Sequence, residues 1–97
     1  MTNELIQYIR DDCSRPFGVL VAQKQSNDAV VIGWSICNEK YDFFSKELGK
    51  EIARGRIKAW RSNTRIPSKI AFNIVGFASR VKKYFRAKEV HIYGANQ

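Results

Sequence analysis

A chain of 97 residues with 44% apolar side chains can bury one modest core, so residues 1–97 read as a single domain. No apolar stretch approaches the roughly 18 residues of a membrane span, and the N-terminal MTNELIQYIRDD lacks the basic-then-apolar layout of a signal peptide, so a soluble cytosolic protein is expected. The 17 Lys and Arg against 9 Asp and Glu give a formal charge of +8, and this charge is segregated: eleven bases and no acid lie between Arg54 and Lys88, which points to an acidic or polyanionic partner.

In chain order, Asn3 can cap a short helix running to about Cys13, with Leu5, Ile6, Tyr8 and Ile9 as its apolar stripe and Glu4 favouring the N-terminal dipole. Arg15-Pro16 would end it. Phe17–Gln23 and Ala29–Cys37 are short, apolar and β-branched, and the polar loop Lys24–Asp28 between them predicts an antiparallel hairpin. Gly33 within the second strand signals a bulge or a close backbone approach. Cys13 and Cys37 sit beside apolar sequence without C-x-x-C spacing and read as reduced, packed thiols.

Asn38 or Asp42 opens a longer helix to about Trp60, with Glu39, Asp42 and Glu47 early and Arg54, Arg56, Lys58 and Arg61 late, the order that suits the helix dipole. Phe44, Leu48, Ile52, Gly55 or Arg56, and Ala59 would form its core face. Gly49 and Gly55 each cost about 1 kcal/mol against Ala in a helix interior, which implies that another element packs close to them. After the loop Arg61–Ile66, Pro67 is placed as the first residue of a second long helix. Its apolar stripe is Ile70, Ile74, Phe77, Ala78, Val81 and Phe85, opposite Lys69, Asn73, Gly76, Arg80 and Lys83. Glu89–Tyr93 alternates as an edge strand. The expected fold is α+β: a small three-stranded antiparallel sheet packed on one face by two long helices, with a short N-terminal helix.

The residue inventory argues against catalysis. His91 is the single histidine, and a Cys37–His91–Glu89 site is weaker than the plain reading of a half-exposed strand histidine. Gly49-Lys50 lacks the preceding glycine of a phosphate loop, and neither a cofactor nor a metal is expected. Two binding readings remain, beside the plain one of a solvated basic surface. In the first, Lys69, Arg80, Lys83 and Arg86 face DNA or RNA; of the nearby aromatics, Phe85 belongs to the buried stripe and Tyr84 to its border, leaving Trp60 open for stacking. In the second, Arg54, Arg56, Trp60, Arg61, Arg65 and Pro67 dock on a protein, because a guanidinium pairs with carboxylates in two-pronged fashion. Ile66-Pro67 is a site where a cis–trans choice could shape that loop and where a host prolyl isomerase could act, although base rates favour the trans bond.

The segment VVIGWSICNEKYDFFSKELGKEIARGRIKAW carries the pattern G-x-S-x-C-N followed by D-x-F-S-K-x-x-G-x-x-I-A-x-G-R. Gly33, Ser35, Cys37, Asn38, Asp42, Phe44, Ser45, Lys46, Gly49, Ile52, Ala53, Gly55 and Arg56 match it. On these residues, its length and its basic C-terminal half, the chain resembles the anti-RecBCD proteins of lambdoid phages, a small-protein family of tailed phages. The resemblance implies a modulator in the host cytoplasm that binds the RecC subunit of the host recombination nuclease. It also implies an altered response to Chi and protection of phage DNA ends, with DNA near the enzyme channel as a further contact. It implies no catalytic residues.

Overall fold

The computed structural model describes residues 3–25, 28–36, 45–59 and 66–92. Three strands come first, β1 (Glu4–Arg10), β2 (Pro16–Lys24) and β3 (Ala29–Ile36), and they form an antiparallel meander in which Tyr8 pairs with Val19 and Leu20 with Trp34. The helices α1 (Lys46–Ala59) and α2 (Ser68–Phe85) follow. β4 (Glu89–Ile92) then joins the outer edge of β3 in parallel, with Val30 against Val90 and Ile32 against Ile92. The sheet order is β1-β2-β3-β4.

The α+β class therefore holds, but the expected three-stranded antiparallel sheet is a four-stranded mixed one, and the expected N-terminal helix is the strand β1. Its residues alternate: Leu5 and Ile9 join the apolar cluster on one side of the sheet, and Ile6 and Tyr8 join the other. Because both faces are covered, neither side reads as polar, and the period-2 signal is blurred into something that resembles a helical stripe. Asp11 closes the β1–β2 turn by accepting the backbone N–H groups of Cys13 and Arg15 on Oδ1, each at 2.9 Å, while Ser14 takes a left-handed φ of 62°. Asp-Asp-Cys-Ser is turn chemistry and cannot continue a helix into Pro16. A register shift at Ile9/Arg10 leaves Phe17 as an extra residue on β2, and this bulge turns the Phe17 ring into the same cluster as Leu20.

The helices do not share one face, as expected, but cover one face each. β2 from Phe17 to Ala22 and β3 from Ala29 to Ser35 are buried continuously, as strands covered on both sides must be. Under α2, the stripe Ile70, Ile74, Phe77 and Val81 packs on Leu20, Ala22, Val30, Ile32 and Trp34, with Val90 and Ile92 of β4 at the margin. Under α1, Ala53 and Ile57 meet Val19, Val21 and Val31.

The phase of α1 departs from the expected one: Gly49, Ala53 and Ile57 face the sheet, and Leu48 and Ile52 are 55% and 39% exposed. The cause is the closeness of the packing. A Cβ on Gly33 would run into the Ala53 carbonyl oxygen and lie 2.7 Å from Ile57 Cγ1, so a helix seated there must present small residues. Gly33 is thus a site of close approach and not of a bulge, since the β2–β3 register runs unbroken through it. Gly55 has open space around it, which removes the packing reason inferred for that position. Pro67 stands at the N-cap of α2, one residue outside the helix, and its bond to Ile66 is trans. Asn38–Phe44, expected to open α1, lie outside the described residues.

Candidate functional site

The basic stretch is divided by the two helices. Arg54 of α1 reaches the start of β1, where its Nε and Nη2 donate to Glu4 Oε2 and Oε1 at 2.9 and 2.6 Å. Gln23 of β2 donates to the same carboxylate at 2.8 Å. The guanidinium bond holds the Glu4 carboxyl below its ordinary range, against the opposing effect of burial, and the carboxylate in turn raises Arg54. Arg56 donates from Nη1 to the Trp34 carbonyl at 2.8 Å and stacks 4.6 Å from the centre of the Trp34 ring. Arg54 and Arg56, two of the four arginines sought as partner contacts, are therefore engaged within the chain, where they fasten α1 to the sheet.

Of the other residues expected at a protein interface, Pro67 is half-buried at the start of α2, and Trp60, Arg61 and Arg65 lie outside the described residues. The four expected to face DNA are spread along α2 and are not equivalent. Lys69 sits 4.7 Å over the Phe17 ring, and Arg80 donates to Gln7 Oε1 across the edge of the sheet. Lys83 and Arg86 are exposed at the helix C-terminus beside exposed Lys82 and Lys88, and none of these four forms an ion pair among the described residues. Arg86 caps α2 in the left-handed region, with φ 52° and ψ 43°, and its N–H bonds back to the carbonyls of Lys82 and Lys83.

Reading the helix by its apolar stripe alone missed what stands opposite that stripe. Phe72 and Val75 are 89% and 69% exposed on the outward side of α2, and Tyr84 is 58% exposed on its flank. The signal was available, since at 3.6 residues per turn Phe72, Val75, Ser79 and Lys83 share the face turned away from Ile70, Ile74 and Val81.

His91 Nε2 is 3.1 Å from Glu89 Oε2 on the surface of β4, and Cys37 lies outside the described residues. Cys13 is a free thiol exposed in the β1–β2 turn and is not packed in the core. Among the described residues there is no group of three or more His, Cys, Asp or Glu side chains able to hold a metal ion, and no helix is long and apolar enough to cross a membrane. No family model matches this chain, and no curated protein or solved structure is matched by it.

Proposed function

We propose that this protein is a non-catalytic phage modulator of the host RecBCD nuclease that acts in the host cytoplasm by binding the RecC subunit. Docking there would alter the response to Chi and spare phage DNA ends for recombination. The observation that carries the reading is the acid-free run of eleven bases from Arg54 to Lys88, joined to the G-x-S-x-C-N and helix pattern from Gly33 to Arg56 that resembles the anti-RecBCD family. A surface of one sign suits an acidic partner and speeds encounter with it. Ile66-Pro67, just before α2, is where a host prolyl isomerase would act as a second partner.

The second reading, a small DNA- or RNA-binding protein, is favoured by Lys82, Lys83, Arg86 and Lys88 at one end of α2 with Tyr84 exposed between them. One pair of measurements separates the two. The purified protein is expected to co-purify with RecBCD and to be retained by RecC, with weak affinity for free DNA at physiological salt. No retention by RecC, together with tight DNA binding that falls steeply as salt rises, would decide for the second reading.

A further inference from the structure

Phe72 and Val75 are one helical turn apart and stand at the centre of the face that α2 turns away from the sheet. A lone exposed apolar residue is ordinary on a protein surface, but a Phe that is 89% exposed beside a Val that is 69% exposed leaves a ring and a β-branched side chain together in water. Towards the helix C-terminus the same face passes through Ser79 to Lys83 and Arg86, with Lys82 beside them, and α2 contains no Asp or Glu from Ser68 to Phe85. The face thus has an apolar half and a cationic half.

We propose that the outward face of α2 is a docking surface for a protein partner that offers an apolar pocket rimmed by acidic side chains. Phe72 and Val75 fill the pocket, and Lys82, Lys83 and Arg86 pair with the rim. This rests on the reading of the protein as one that docks on another protein, and it moves the anchor from the arginines of α1 to the apolar turn of α2. Charge decides against a second copy as occupant, because pairing two α2 helices sets Lys69, Arg80, Lys82 and Lys83 of one against a helix of the other that has no carboxylate to meet them. Nucleic acid fits the cationic half alone: between Ile70 and Ser79 the helix has no cation for a phosphate, and Val75 has no ring for a base. A buried aromatic anchor with a charged rim is the ordinary anatomy of a protein interface.

The test measures binding of the purified chain to purified RecBCD by biolayer interferometry at physiological salt, for wild type, Phe72→Asp, Val75→Asp, the double variant Lys83→Glu/Arg86→Glu, and Leu48→Asp on α1. Phe72→Asp and Val75→Asp are expected to weaken binding at least tenfold and the double charge reversal to slow association, with Leu48→Asp within twofold of wild type. The thermal midpoint of Phe72→Asp is expected at the wild-type value, because nothing buried is lost. If wild type binds and Phe72→Asp binds equally well, the docking surface is wrong while the host-enzyme reading stands. If wild type does not bind RecBCD, that reading falls and the surface falls with it. Loss of a dimer in sedimentation of Phe72→Asp, or loss of single-stranded DNA affinity in its place, would overturn the proposal in favour of a second copy or of nucleic acid.

Discussion

The two faces of the sheet carry one helix each, and the helices are held by different physics. Beneath α2 the contact is made of large side chains, with Leu20, Ile32, Trp34, Ile70, Ile74 and Phe77 in one apolar cluster. Complete burial of such a side chain contributes about 1.5–3 kcal/mol. Beneath α1 the closest contact is a glycine against a helix backbone, the apolar contact is the smaller cluster of Ala53 and Ile57 on Val19, Val21 and Val31, and Arg54 on Glu4 and Arg56 on the Trp34 carbonyl add polar attachment. A helix held by area tolerates change at its surface and suffers from cavities. A helix held by close approach and two guanidinium contacts is sensitive to a single methyl group and to pH. The difference also sorts the basic stretch, because α1 uses both of its arginines for its own attachment while α2, seated by apolar area, leaves its terminal cations facing outward.

The largest effect should come from opening the α2 side. Phe77 is 1% exposed and central to that cluster, and Phe77→Ala is expected to cost about 3–5 kcal/mol in urea denaturation, a large part of the roughly 5–15 kcal/mol that a domain of this kind possesses. A loss below about 1 kcal/mol would mean that α2 is not seated as described. Next comes the methyl test on the other face. Gly33→Ala puts a Cβ against the Ala53 carbonyl, where the obstacle is backbone and has no rotamer to yield, and overpacking of this kind costs about 1–3 kcal/mol. Amide shifts are expected at Ala53 and Ile57, with Ile74 and Phe77 undisturbed. Shifts that spread equally to both helices would break the contrast between the faces.

Glu4 tests the polar part of the α1 attachment. The pair is two-pronged but partly open to water, with the Arg54 side chain 40% exposed and that of Glu4 24%, so Glu4→Gln is expected to cost only about 0.5–1 kcal/mol near neutral pH. The folded protein holds the Glu4 carboxyl below its ordinary value of 4.5. The stability from this group is therefore fully present above about pH 4.5 and is lost as pH falls through the folded value. The gap between wild type and Glu4→Gln should accordingly close on acidification. Asp11 is lowered as well, chiefly by the Arg15 backbone N–H and then by that of Cys13, but it is present in both proteins and leaves the difference to Glu4. A gap that stays constant down to low pH would show that the Glu4–Arg54 bond does not form in solution.

How far the fold was legible follows the same division. The apolar stripe of α2, the β2–β3 hairpin and the strand Glu89–Ile92 were readable because each is a local pattern with one period. The strand β1 was not, because its alternation is between two apolar faces and resembles a helix start until the Asp11 turn is recognised. The phase of α1 was lost because its buried face consists of Gly49, Ala53 and Ile57, which are less apolar in sum than the exposed Leu48 and Ile52. Only the tertiary contact at Gly33 decides between these faces. Among the candidate site residues, the charge run was legible and its uses were not. That Arg54 meets Glu4 across fifty positions has no local signature, whereas exposed Phe72 could have been found by asking what lies opposite the buried stripe.

The smallest expected effect, and the one that separates holding α2 from using it, lies at Arg86. This residue adopts a left-handed conformation at the C-cap, with φ 52°, where a side chain costs about 1–2 kcal/mol and glycine costs nothing sterically. Against this gain stand the wider freedom of glycine in the unfolded chain and the loss of a cation at the negative end of the helix dipole, worth about 0.3–1 kcal/mol. Arg86→Gly should therefore stabilise the protein by about 0.5 kcal/mol at most, seen as a small rise in thermal midpoint. If Arg86 also lies on the rim of the docking surface, the same variant should bind RecBCD more weakly while folding better. Folding and docking would then move in opposite directions from one substitution, an outcome that a purely structural role for this arginine cannot produce. A variant that loses stability would show that the cap tolerates the arginine without strain and that its charge is part of what holds α2.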